Sequence, residues 1–324
     1  MIRTYAFNGD ADGLCALQQF RLTGVQAEQE AAVLVTGVKR DIALVDRVKA
    51  GAGDECTVLD VSFDLNRSAV TALLAAGVSV RYFDHHFAGK VPQHANLEVH
   101  IDTSPTLCSS LIVDRYLAGR CRAWAAVGAY GDSLVDEGRL AAEAAGLDPA
   151  AADHLQKLGL ALNYNAYGES IADLHVPPVE LAQEMFRFSH PLDFIATSPT
   201  FRRLADGFHE DLALAHQLRP LRQVPGAILF VLPDASWARR ASGTLANDLA
   251  KAHPGSAVAT VSHKTGGGYL VSVRVPRDSV VSAESFCRRF PTGGGRRTAA
   301  GINHLPSAEL DVLAAAFEDQ FRTR

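Results

Sequence analysis

The 324-residue chain has no apolar run approaching the roughly 18–20 residues that a membrane span needs, so a transmembrane protein is excluded. Residues 1–12 lack the charged-then-apolar pattern of a secretory signal. The five cysteines, Cys15, Cys56, Cys108, Cys121 and Cys287, are odd in number and scattered, with no CxxC pair. That pattern speaks against a disulfide framework and against a thiolate zinc site. These absences lead to an expectation of reduced thiols and a cytoplasmic location. Internal repeats and low-complexity segments are missing too. With 48% hydrophobic and 21% charged residues, disorder and collagen-like repetition are excluded, and a real core is expected.

What is present begins with charge. The net charge of -5 conceals a split of -11 over the first 215 residues and +6 over the rest. An acidic front suits metal ions, and a basic back suits an anionic substrate.

Strand-like runs occur at Thr4–Asn8, Ala31–Thr36, Cys56–Val61, Val78–Phe83 and Leu97–Ile101. Helical stretches run from the Gly9–Gly13 loop through Phe20 and from Asn66 to Ala76. This alternation predicts βαβ units and a mostly parallel sheet, with functional groups just beyond the strands' carboxyl ends. Ser109 to about Gly159 reads as helical, and short helices continue to Leu218. A second alternating block follows. It has a strand at Ala227–Leu232, a helix at Ser242–Ala252 and a hairpin pairing Ala257–His263 with Tyr269–Val275. A terminal helix, Ser307–Phe321, has Ser307 as its expected N-cap. The expected organisation is an α/β domain over residues 1–218, a linker over 219–226 and a smaller α/β domain with a mixed sheet over 227–324. The active-site cleft is expected between the two domains.

Acidic residues and histidines stand at the ends of these apolar runs: Asp10 and Asp12, then Asp60, then Asp84-His85-His86, then Asp132. Each element alone has a bland reading as a turn, cap or surface residue. The adjacent histidines have few structural uses. Several carboxylates brought to one sheet edge repel one another, and divalent cations resolve that repulsion. Carboxylates with imidazoles suit Mn²⁺ first, with Mg²⁺ or Zn²⁺ as alternatives. A pair of such ions can share a hydroxide and clamp a phosphoryl oxygen, which describes a phosphoester-hydrolysing centre.

In order and context, this series resembles the motifs of the DHH phosphoesterases, which include RecJ-type exonucleases, nanoRNases, and manganese pyrophosphatases and polyphosphatases. The resemblance implies that Asp10 binds a first metal, Asp12 a second, and Asp60 both. It implies that His85 and Asp132 complete the second site, that His86 faces the substrate phosphate and that Asp84 orients a histidine. Asp60, His85, His86 and Asp84 form the catalytic set on this reading. Many members carry His or Asn four residues before the first Asp, where this chain has Ala6. Asn8 is the nearest substitute ligand, and weak binding of the first metal is implied.

Near the C-terminus, Gly293-Gly294-Gly295-Arg296-Arg297-Thr298-Ala299-Ala300-Gly301 joins glycines, whose backbone can converge on an anion, to two arginines that can fork onto phosphate. It resembles the GGGHxxAAG signature of the DHH-associated domain, with Arg296 in the histidine position. Trp237 and Gly243, and Ser272-Val273-Arg274, resemble further pieces of that domain. Arg274, Gly293, Gly294, Gly295, Arg296 and Arg297 are therefore expected to bind substrate, together with His86. Asn163–Gly168 reads either as a base-stacking segment or as an ordinary loop. The other ten histidines show no ligand spacing.

The resulting expectation is a two-metal phosphodiesterase or phosphatase acting on short oligonucleotides or small nucleotide phosphates. The length leaves no room for the added domains with which a processive RecJ-type enzyme grips a long strand. The alternatives are a RecJ-like exonuclease, a pyrophosphatase or polyphosphatase, and a catalytically weakened nucleotide-binding protein. No membrane and no obligate protein partner are expected, and a homodimer is compatible with the sequence.

Overall fold

The structure is a computed structural model, and it describes residues 1–24 and 31–323. The chain divides into two compact units, Met1–Phe208 and His209–Arg324.

The first unit is built on a five-stranded sheet. Its strands are β1 (Arg3–Phe7), β2 (Val33–Val35), β3 (Glu55–Leu59), β4 (Ser79–Asp84) and β5 (Leu97–Ile101). The order is β2-β1-β3-β4-β5, and every pairing is parallel. Side chains alternate between the faces, as the two-residue period of a strand requires. Tyr5, Phe7, Leu59 and Phe83 enter one core, while Ala6, Val58, Val80 and Tyr82 enter the other. On the first face pack α1 (Ala11–Thr23), α3 (Ser109–Tyr116), α4 (Arg122–Gly131), α5 (Val135–Ala144), α6 (Pro149–Asn165), α7 (Pro178–Met185) and α8 (Pro191–Thr197). On the second packs α2 (Phe63–Ala75). Each large apolar side chain closed between these layers contributes about 1.5–3 kcal/mol. Because β1 connects to β2 on one side and β3 lies on the other, the topology reverses between β1 and β3, the place where such sheets open a crevice at their carboxyl edge.

Helix α9 (Pro199–His216) spans the division between the units. The second unit has a six-stranded mixed sheet of β6 (Arg222–Val224), β7 (Ala227–Val231), β8 (Ala257–His263), β9 (Tyr269–Arg274), β10 (Gly293–Gly295) and β11 (Ala299–Leu305). The order is β10-β11-β9-β8-β7-β6, with only β7 and β8 parallel. Helix α10 (Ser236–Ala252) covers one face; α11 (Ala283–Cys287) and α12 (Leu310–Phe321) cover the other.

Four local readings change. Residues 219–226, read as a linker, contain strand β6, paired antiparallel with β7. Helix α10 begins at Ser236, so Trp237 and Gly243 lie within it. Ser307 caps no helix; its hydroxyl accepts the Gly268 N–H of the neighbouring hairpin at 3.1 Å. The glycines 293–295 form a strand rather than a tight turn. A Cβ at Gly293 would lie 1.8 Å from the Cys287 carbonyl, so this close approach demands glycine.

All five cysteines are free thiols. Among the described residues, no helix is long and apolar enough to cross a membrane.

Candidate metal centre

Asp10, Asp60, His85 and His86 sit just past the ends of strands, Asp12 lies in the first turn of α1, and Asp132 ends helix α4. After β1 the chain turns at Asp10, the N-cap of α1, whose Oδ1 accepts the Asp12 and Gly13 N–H groups at 3.1 Å each. After β3, Asp60 adopts φ +58°, a left-handed conformation that Asp tolerates better than most residues. It is buried, and its Oδ1 accepts the Ser109 hydroxyl at 3.0 Å. Strand β4 ends in Asp84, and His85 and His86 follow it.

Asp84 is wholly buried and organises this turn. Its Oδ1 accepts the backbone N–H of His85 at 2.9 Å and of His86 at 3.2 Å, and lies 2.7 Å from His86 Nδ1. Its Oδ2 accepts the Phe63 N–H at 3.2 Å, tying the turn to the start of α2. His85 Nδ1 stands 3.1 Å from the Leu107 carbonyl, which can only accept, so Nδ1 carries the proton and Nε2 is presented as a ligand. That Nε2 lies 3.4 Å from Asp60 Oδ1 and 3.8 Å from Asp132 Oδ2. One donor atom each from Asp60, His85 and His86 falls within 4.8 Å of the others.

Asp12 is held differently. Its Oδ2 accepts the Ser109 N–H and its Oδ1 the Ser110 N–H, both at 2.7 Å, so it faces the positive end of α3. Ser110 in turn donates its hydroxyl to the Asp12 carbonyl at 2.7 Å. Helix α4 can come this close only because residue 128 is glycine. A Cβ there would lie 2.3 Å from Ser110 Oγ and 3.2 Å from Asp12 Oδ1.

The electrostatics are those of crowded anions. Burial, with the charges of Asp12 and Asp10, pushes the Asp60 carboxyl well above its usual range. Burial and Asp12 push Asp132 up to about 6. For His85, burial opposes the charge, but the hydrogen bond to Asp60 and the surrounding carboxylates dominate and raise it to about 10. Asp10 goes the other way. Burial raises it, yet the charge and hydrogen bond of Lys39 bring it below the ordinary value.

These groups open onto a cavity of about 420 Å³, lined by Asn8, Asp10, Lys39, Asp60, His85, His86 and Asp132 among others. Asn8 Oδ1 is buried in it without a hydrogen-bond partner. An unpartnered carbonyl oxygen, a carboxylate and two imidazole nitrogens make a donor set that fits a borderline divalent cation such as Mn²⁺. The outer wall is apolar and exposed: Ile42, Leu65 and Phe87.

By sequence, the chain matches no protein-family model and no curated protein. Solved structures do match it over almost its whole length. Exonuclease RecJ bound to manganese aligns with 98% of this chain and 89% of its own, with TM-score 0.58 and 20% identity. The DHH domain of a member of a ribosomal-protein family aligns with 99% and 87%, at TM-score 0.65 and 12% identity. The pGpG-specific phosphodiesterase PggH of Vibrio cholerae aligns with 98% and 97%, at TM-score 0.56 and 12% identity. The chain shares the fold of these three structures, one of them a DHH domain. In that fold's N-terminal unit, the structure brings Asp10, Asp12, Asp60, His85 and Asp132 to one sheet edge, with His86 beside them and Asp84 beneath.

The remaining expected residues of the DHH reading lie in the second unit. Arg274 donates from Nε to Asn247 Oδ1 at 2.8 Å, Arg297 from Nη2 to the Ser279 carbonyl at 2.9 Å, and Arg296 is exposed. The segment 163–168 is no base-stacking platform at Tyr164, which is buried with its ring 4.5 Å from that of Phe208. Lys39, Ser109 and Ser110 went unread in the sequence. For Lys39 one signal was available: it follows β2 at the same sheet edge as the acidic residues.

Proposed function

We propose that this chain is a divalent-metal-dependent phosphodiesterase acting on short oligonucleotides or small nucleotide phosphates. The observation that carries the reading is the convergence of Asp60, His85 and His86 in a cavity whose outer wall is exposed apolar surface. A bound divalent cation would supply Lewis acidity at a phosphoryl oxygen and activate water as the nucleophile. Asp60, His85 and His86 would hold it, with Asp12, Asp132 and Asn8 contributing, and Mn²⁺ is our first choice over Mg²⁺.

The protein's own residues divide the remaining tasks. Asp84 and the Leu107 carbonyl hold the two imidazoles in one tautomer with Nε2 outward. Carboxylates already aimed at the cation need little reorganisation during reaction, which favours the charge-shifted state. Phe87, 75% exposed directly after His86, offers a face on which a base can stack beside the scissile phosphate. Inorganic polyphosphate would make no use of that face. In the second unit we assign Arg274, Gly293, Gly294, Gly295, Arg296 and Arg297 to substrate binding. Two fold relatives named for hydrolysis, an exonuclease and a pGpG-specific phosphodiesterase, support a phosphodiester substrate.

A single Mn²⁺ assay panel tests this reading. It compares a dinucleotide, a 5-mer, a long single strand, 3′-phosphoadenosine 5′-phosphate, cyclic dinucleotides and pyrophosphate, with Asp60→Ala as control. Turnover should be highest on base-bearing short substrates and vanish in Asp60→Ala. In Phe87→Ala the KM for the dinucleotide should rise about 5- to 150-fold, the equivalent of roughly 1–3 kcal/mol of stacking. Preferred turnover of pyrophosphate, or an active Asp60→Ala enzyme, would refute the proposal.

A further inference from the structure

Asp10 is 2% exposed, and both its carboxylate oxygens are committed. Oδ1 accepts two N–H groups of α1, and Oδ2 lies 2.5 Å from Lys39 Nζ. The same ammonium donates to Asn163 Oδ1 at 2.9 Å, and it sits 5.9 Å from the centre of the Tyr167 ring. Tyr167 OH is tied in turn to Asn163 Nδ2 at 3.2 Å. Lys39 is therefore fixed by three residues from elsewhere in the chain, not draped over a surface.

The position is chemically suggestive. A divalent ion held by Asp10 Oδ2 would need a bond of roughly 2.0–2.6 Å to that oxygen. The Lys39 ammonium already takes that oxygen as its salt-bridge partner, and both residues line the cavity. A dication and an ammonium cannot share one carboxylate oxygen at such separations without strong repulsion. Ala6, in the strand leading to Asp10, is fully buried and offers no donor. Meanwhile the ligand atoms that converge within 4.8 Å belong to Asp60, His85 and His86, and Asp10 is not among them.

We infer that this centre takes one divalent cation, at Asp60, His85 and His86, and that Lys39 Nζ occupies the second cation's place at Asp10. The inference rests on the phosphoesterase reading and refines it. An ammonium has three donors; two go to Asp10 and Asn163, and the third is available to a phosphoryl oxygen entering the cavity. Lys39 thus neutralises the Asp10 side of the anionic cluster and binds substrate as a point charge. It gives no Lewis acidity, so water activation belongs to the single metal position.

The test counts ions. Metal-stripped wild-type protein is titrated with Mn²⁺ alone, with stoichiometry from equilibrium dialysis and spin state from electron paramagnetic resonance. The expected result is a single ion per chain with the hyperfine-split signal of isolated Mn²⁺. Lys39→Arg should retain that stoichiometry. Lys39→Ala and Lys39→Gln, checked for folding by circular dichroism, should take up a second ion and show exchange coupling. Two coupled ions in the wild-type protein would overturn the inference while leaving the phosphoesterase reading intact. A folded Lys39→Ala protein that still binds only one ion would also overturn it. Failure to bind any Mn²⁺ would instead sink the metal-dependent reading itself.

Discussion

Asp84 offers the sharpest test of how the site is held. Its carboxylate accepts four hydrogen bonds: from the backbone N–H groups of His85, His86 and Phe63, and from the His86 ring. Replacing it with Ala removes all four acceptors at a position with no solvent exposure. At about 0.5–1.5 kcal/mol net per bond, Asp84→Ala should destabilise the fold by about 2–6 kcal/mol. That is a large share of the 5–15 kcal/mol typical of a domain. Asp84→Asn behaves differently. Its oxygen can keep the three bonds at the His85–His86 turn, while its amide then points a donor at the Phe63 N–H. The cost is one buried mismatch, about 1–3 kcal/mol. Both variants loosen the imidazoles, so Mn²⁺ affinity should fall about 10- to 100-fold. Urea denaturation in chelator gives the stabilities, and calorimetric Mn²⁺ titration gives the affinities. If Asp84→Ala is no more destabilised than Asp84→Asn, or if Mn²⁺ binds both as tightly as wild type, the buried carboxylate does not organise this turn.

Three further outcomes follow from the same geometry. His85, raised to about 10, must lose its proton when a cation binds, and Asp132, raised to about 6, must do so below that pH. Mn²⁺ affinity should therefore climb with pH, about tenfold per unit for each proton released. In metal-free protein both groups bind protons more tightly folded than unfolded. Stability should fall as pH rises, through the Asp132 window between about 4 and 6 and the His85 window between about 6.5 and 10; a flat thermal-denaturation profile would contradict this. Gly128→Ala should cost about 1–3 kcal/mol and weaken Mn²⁺ binding, because the new methyl displaces Ser110 from Asp12. Adding Ser110→Gly should recover part of the lost stability, and if it makes matters worse, the steric account fails.

How much could be read in advance depended on the kind of interaction. The strands β1, β3 and β4 are mostly buried and carry apolar pairs or triplets at or next to their carboxyl ends, so the residues following these were visible candidates. The carboxyl edge then brings Asp10, Asp60 and His85 together by topology alone. Lys39 was invisible by comparison, because its partners, Asp10 and Asn163, come from distant elements and no periodicity marks the pairing. Ser109 and Ser110 act on Asp12 through backbone N–H groups, which any residue type except proline carries. The conformation of Gly293–Gly295 was hidden for a related reason. Glycine permits a turn, but it also permits a strand pressed against a neighbouring carbonyl, and only the packing of α11 distinguishes them. Ser307 went to a hairpin N–H rather than a helix end because β8 and β9 deliver Gly268 beside it.

The left-handed backbone at Asp60 narrows the routes by which this protein can change over generations. Glu would keep the charge there but strain the chain, since only Gly, Asn and Asp settle readily at such a φ. Asn keeps the turn while surrendering the ligand charge. Mutational drift at this position therefore runs toward a well-folded protein that has lost its chemistry, and not toward an unfolded one. A descendant of that kind would retain the cavity, the apolar wall and Lys39.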